Sequence, residues 1–177
     1  MPRRTCRLCL TLLCVPLLAA AGSKAHEHGV ARLDVAAQPG VVTIHLESPL
    51  DNLAGFERAP RSVVEQKRID AVLARLKAAD SLFRFDPAAQ CTPKAVALRS
   101  AALKLGEFDP KPAADGHADL DADYEFACKG VPPAFVETTL LEALPRLQRV
   151  EVQAVGSKGQ SRATLKRPER RITLRNG

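Results

Sequence analysis

His26-Glu27-His28 places two imidazoles and a carboxylate within three residues, the kind of donors that first-row transition metals take. Were the chain to start at His26, the free amine, the intervening amides and His28 could enclose Cu(II) or Ni(II) in a square-planar set. The imidazoles of His26 and His28 could instead join carboxylates from elsewhere around zinc, which takes about four N, O or S ligands. The plain alternative is a solvated polar terminus. His117 and Asp119 form a second pair, because residues two apart on a strand point the same way and can chelate together. Asp121 and Asp123 continue that side. The spacing of the three aspartates resembles the opening of a calcium loop, but Tyr124 and Gly130 stand where that loop needs glycine and glutamate. A calcium loop is excluded, and a solvated acidic strand face is the alternative. His45 and Glu47 share the polar side of another strand, where such pairs are ordinarily surface.

Catalytic signatures are absent from the sequence: it has no H-E-x-x-H, no G-x-S-x-G, no phosphate-cradling glycine loop and no dinucleotide fingerprint. The reading is non-enzymatic.

The elements that must position these residues follow from periodicity. Residues 29–37 alternate as a half-buried strand does, Gln38-Pro39-Gly40 is a turn, and residues 41–48 alternate again, completing a hairpin. Residues 49–57 are mixed and read as irregular. Ser62 with Glu65 is a capping box, and Ile69, Val72, Leu73, Leu76 and Phe83 recur at helical spacing, which predicts a long amphipathic helix over 62–82. Residues 95–105 read as a strand, though their alanines leave a helix open. Residues 106–116, with Pro110 and Pro112, form a loop. The stretch from His117 to Phe126 is a strand with one wet face. Pro132 and Pro133 open a short helix carrying Phe135, Thr139, Leu140 and Leu144. Residues 149–155 and 160–165 are two closing strands, with a short edge at 172–174. The fold class is α+β: mainly antiparallel sheet with one long and one short amphipathic helix packed on it.

Residues 1–25 have the layout of a cleavable signal peptide. Arg3, Arg4 and Arg7 come first, then an apolar run over 8–21, then the small-x-small ending Ser23-Lys24-Ala25. The run is interrupted by Pro16 and falls short of the roughly 20 residues a spanning helix needs. Cleavage after Ala25 leaves residues 26–177 as one α+β domain, which the reading places in the periplasm with no membrane attachment. The 26 basic residues lose Arg3, Arg4, Arg7 and Lys24, leaving 22 against 20 acidic ones, so the net charge drops from +6 to +2. That removes the case for a nucleic-acid partner. Cys6, Cys9 and Cys14 also go, leaving Cys91 and Cys128. In an oxidising compartment one disulfide is their most economical use, closing a loop of about 38 residues; paired metal-binding thiolates are the alternative.

Taken together, Ala25-His-Glu-His-Gly29 ahead of an alternating strand, followed by Ser48-Pro-Leu-Asp-Asn-Leu-Ala-Gly-Phe-Glu57, resembles the periplasmic zinc-uptake protein ZrgA family, a family of unknown domain function. Cys91, His117-Ala-Asp119, Tyr124-Glu-Phe-Ala-Cys128, Val152-Gln-Ala-Val155 and Gly159-Gln160 fall in the family's order. The resemblance implies a zinc-binding accessory of an uptake system, with His26, His28, His117 and Asp119 as ligands and Glu47 or Glu57 as carboxylate partners. Two features depart from the family: there is no histidine-rich insertion between the cysteines, where only His117 stands, and Arg58 occupies a position that tends to histidine. The rival readings are a metal-independent envelope interaction module and an N-terminal copper binder.

Overall fold

The computed structural model describes residues 27–107 and 118–174. The expected hairpin forms from strands β1 (Val30–Gln38) and β2 (Val41–Pro49). Pro39 fixes one φ of the two-residue turn and Gly40 supplies the left-handed one, at +81°. Both strands bury alternate residues: Leu33, Val35, Val42, Ile44 and Leu46 face inward, and Asp34, Thr43, His45 and Glu47 face out.

Residues 49–57, expected to be irregular, contain a short helix, α1 (Leu50–Ala54). It buries Leu50, Leu53 and Ala54 and ends at Gly55, whose φ of +85° is the left-handed cap. Arg146 fastens it from outside, donating from Nε to the Asp51 carbonyl at 2.8 Å and from Nη2 to the Asp51 carboxylate.

The helix expected over 62–82 is divided into α2 (Val63–Lys77) and α3 (Ala79–Leu82). The Ser62 half of the capping box is present, Ser62 Oγ accepting from the Glu65 amide at 3.2 Å, while the Glu65 carboxylate reaches one residue past the cap to the Arg61 amide at 2.6 Å. Ala78 leaves the helical region, with ψ at 64°, and the new direction brings Ala79 and Leu82 into the core.

Strands β3 (Phe83–Phe85) and β4 (Cys91–Arg99) follow, separated by a 3-10 turn over Pro87–Ala89. The strand expected at 95–105 thus starts and ends earlier; Ser100 and Leu105 close a tight turn by mutual backbone bonds. Strand β5 (Asp119–Cys128) alternates as expected, with Leu120, Ala122, Tyr124 and Phe126 inside. The short helix expected from Pro132 is corrected to a strand, β6 (Phe135–Thr138), followed by a single helical turn, α4 (Leu140–Ala143). The closing strands β7 (Arg149–Gly156), β8 (Gly159–Leu165) and β9 (Arg171–Thr173) are where the alternation puts them.

Six strands form a sheet in the order β4-β5-β2-β1-β7-β8, antiparallel except for the β1–β7 pair; β3, β6 and β9 form a second, smaller antiparallel sheet. One face of the large sheet is covered. Ile69, Val72 and Leu76 of α2, with Phe83, Val136, Leu140, Leu144 and Ile172, join its inward residues in one apolar cluster. Tyr124 stacks edge-on against Phe83, with centroids 4.9 Å apart. The other face carries polar residues and is open to water, an arrangement antiparallel sheets tolerate. Cys91 and Cys128 stand directly opposite each other on β4 and β5 and form a disulfide. No helix among the described residues is long and apolar enough to cross a membrane.

Candidate metal centre

The start of β1, the end of β2 and the start of β5 meet at one end of the large sheet. Arg32 on β1 lies opposite Glu47 on β2, Glu47 lies opposite Asp121 on β5, and Pro49 lies opposite Asp119. Residues 27–29, which lead into β1, are each tied to a different element. The Glu27 carboxylate accepts from both terminal nitrogens of Arg149 on β7, at 3.1 and 2.6 Å, and this pairing holds its carboxyl below the usual range. His28 Nε2 lies 3.1 Å from Glu57 Oε1, beyond α1. The Gly29 amide donates to Asn52 Oδ1 at 2.5 Å.

Asn52 is the anchor of this end. Its side chain is buried, accepts from Gly29, and donates to the Val30 carbonyl at 2.7 Å and to Ser48 Oγ at 3.4 Å. The block from Ser48 to Glu57 therefore has a mechanical role: Ser48 and Asn52 grip the entry to β1, Gly55 turns the chain out of α1, and Glu57 meets His28. The segment at His28 is a held one, in contrast to a loose polar terminus.

Of the expected ligands, His28, Asp119 and Glu47 lie in the described residues, and His26 and His117 lie outside them. His28 is exposed, with its Nδ1 turned from the Glu57 contact. Asp119 opens β5, half-buried, and its carbonyl accepts from Ser100 Oγ at 2.7 Å. Glu47 accepts from Arg32 Nη1 at 3.2 Å. The described residues do not bring three His, Cys, Asp or Glu side chains together tightly enough to hold a metal ion. At this end the donors they supply are His28 and the carboxylates of Glu47, Glu57 and Asp119.

A second arrangement lies further up the open face. His45 Nδ1 donates to Asp123 Oδ1 at 2.7 Å, and Arg99 donates to the other oxygen of Asp123. Burial alone would raise Asp123, but the hydrogen bonds from His45 and Arg99 hold its carboxyl below the usual range. Burial raises neighbouring Asp121, and His45 and Arg99 oppose that only in part. Sequence reading treats His45 as surface, yet a signal for this row exists. A two-residue turn at Pro39-Gly40 fixes the hairpin register and pairs Asp34 with His45.

Comparison with curated proteins returns no match. Residues 25–174, the whole described fold and its leading segment, match the family described as ZrgA family zinc uptake protein. That match covers the sheet, the Ser48–Glu57 grip and the cross-strand cysteines, and the chain belongs to the ZrgA family of zinc uptake proteins.

Proposed function

We propose that the protein works in the periplasm after cleavage before His26, collecting a zinc ion at the sheet end and passing it to a component of an uptake system without catalysing a reaction. The observation that supports this most is the triple attachment of residues 27–29, which holds His28 against Glu57 at the entry to β1. With Nε2 of His28 facing a carboxylate, Nδ1 is the nitrogen left for a metal, the relation that ligating histidines commonly have with an outer carboxylate. Two-residue tethers, at most about 7 Å each, join His26 to His28 and His117 to Asp119. On this reading the ligands come from His26, His28, His117 and Asp119, with Glu47 as a further carboxylate. Zinc's preference for about four N and O donors fits that set.

The site is small, since the chain has four histidines in all. Its action is transfer, in contrast to bulk buffering. Equilibrium dialysis of tag-free protein starting at His26, followed by metal analysis, tests the reading. Retention of Zn(II) at micromolar free metal is expected, with loss of retention in the His28→Ala, His117→Ala double variant. Failure of the mature protein to retain Zn(II) overturns the proposal. Mass spectrometry of the secreted chain checks the start at His26.

A further inference from the structure

Away from the sheet end, five outward-facing residues from adjacent strands stand level with one another: Asp123 on β5, His45 on β2, Asp34 on β1, Gln153 on β7 and Arg162 on β8. They line an open trough of about 880 Å³, kept shallow-walled by Ala36, Ala95 and Ala97. We propose that His45 and Asp34 form a second binding site for a divalent transition-metal ion on this face, distinct from the sheet-end site.

Four observations converge on that pair. First, Asp123 fixes the imidazole: its Oδ1 accepts from His45 Nδ1 at 2.7 Å and its Oδ2 is taken by Arg99. An ionised carboxylate only accepts, so Nδ1 carries a proton, and in the neutral imidazole Nε2 then carries the lone pair. Second, the two ring nitrogens point in diverging directions, so Nε2 is turned from Asp123, and among the described residues it has no hydrogen-bond partner. Third, Asp34 lies directly opposite His45 on the neighbouring strand. It is exposed and has no hydrogen bond or ion pair among the described residues, while Arg32, two residues before it, is engaged by Glu47. Fourth, directly opposite residues have Cβ atoms about 4.5–5.5 Å apart. One ion with bonds of about 2.0–2.2 Å can then bridge an imidazole nitrogen and a carboxylate oxygen.

With a metal bound, the assembly would be a carboxylate–histidine–metal relay, with Asp123 as the outer carboxylate and Asp34 as the second ligand. An imidazole with a carboxylate suits zinc, nickel or copper over calcium or magnesium, which take oxygen ligands. Two protein donors leave the remaining positions to water or to an incoming ligand in the trough, so the ion exchanges readily. Asp34 is four residues along β1 from Val30, about 13 Å at strand rise, so occupancy here is separable from occupancy at His28.

The test is a histidine-ring ¹H–¹⁵N correlation titration of the mature protein with Zn(II), with His45→Gln used for assignment. The expected result is a metal-free His45 in the Nδ1–H form, whose Nε2 signal moves and saturates with added Zn(II). Asp34→Asn, an exposed change that leaves the fold intact by circular dichroism, should weaken that response about tenfold or more and leave the His28 response unaltered. A His45 signal that stays put up to millimolar Zn(II), or an Asp34→Asn variant with unchanged affinity, overturns the proposal. Because His28 reports in the same spectra, failure here and failure of the sheet-end reading are told apart directly.

Discussion

Replacing Asn52 with alanine should unfasten the end of the sheet on which the zinc reading depends. The side chain is 1% exposed. It holds the Gly29 amide at 2.5 Å and the Val30 carbonyl at 2.7 Å, with a longer contact to Ser48 at 3.4 Å. Alanine leaves the Gly29 N–H, itself buried, with no acceptor, and an orphaned buried polar group costs about 1–3 kcal/mol. The Val30 carbonyl loses one of its donors, worth about 1 kcal/mol. The sum is a destabilisation of about 2–4 kcal/mol. Asn52→Asp should be no better at neutral pH, because it keeps the acceptor for Gly29 but turns a buried charge toward the Val30 carbonyl. Urea unfolding of the oxidised mature protein by circular dichroism measures the global loss, and amide exchange at Gly29 measures the local one. A loss below about 1 kcal/mol, with Gly29 exchange unchanged, would refute the assignment of Asn52 as the anchor.

Tyr124 is the only tyrosine in the chain, and its hydroxyl is buried with no hydrogen-bond partner among the described residues. Tyr124→Phe should therefore stabilise by about 1 kcal/mol and raise Tm by about 2–4 °C; a lower Tm would show that the hydroxyl has a partner. Burial pushes its phenol above the ordinary value, so ultraviolet titration should show no phenolate at pH 10 until the protein unfolds. Glu65 accepts from Arg58 and from the Arg61 amide, which bring its carboxyl down to about 2. A folded value below the unfolded one stabilises above about pH 4.5, and the effect is lost as pH falls toward 2. Glu65→Gln should melt below wild type at pH 7 and together with it near pH 2; a gap that persists in acid would count against this. Removing the disulfide with Cys91→Ala and Cys128→Ala, 37 residues apart, should cost about 3–4 kcal/mol in urea titrations, and a cost under about 1 kcal/mol would contradict the loop-closure argument.

What the sequence made legible were the features that neighbouring residues decide. Alternation over 29–48 and a Pro-Gly turn specify the hairpin and its register, and Ser62 with Glu65 specifies the start of α2. Features decided by distant partners were hidden. Phe135, Thr139, Leu140 and Leu144 are spaced for a helix, but residues 135–138 are drawn into a strand by β3 and β9, far away in the chain. The α1 helix is too short to announce itself and depends on Asn52 and on Arg146 from across the fold. The parallel β1–β7 pairing has no local signature either. Among site residues, His28, Asp119 and Glu47 could be nominated by type, whereas the sheet end that Glu47 and Asp119 share follows from strand order. Asp34 became a candidate only when the sheet set it opposite His45, and Asp123, read in the sequence as part of the side that His117 and Asp119 open, proves to face His45 from the other strand.

In a member of the ZrgA family with four histidines, the proposed zinc role rests on a few donors and not on holding many ions loosely. What it offers is orientation. Both described histidines have one ring nitrogen facing a carboxylate, Glu57 for His28 and Asp123 for His45, and the other turned away from it. That contact fixes ring orientation during folding, so the entropy of ordering the ligand is not charged against binding the ion, which is the general route by which preorganisation raises affinity. The carboxylate also makes the imidazole a better donor. The two histidines differ in their backing: His28 hangs on a segment that Asn52 and Arg149 must hold, whereas His45 sits in the middle of a six-stranded sheet. Loosening the sheet end by substitution at Asn52 would therefore degrade His28 as a donor while sparing His45. With zinc bound as proposed, local stability and metal recognition would be coupled at the sheet end and largely uncoupled in the trough.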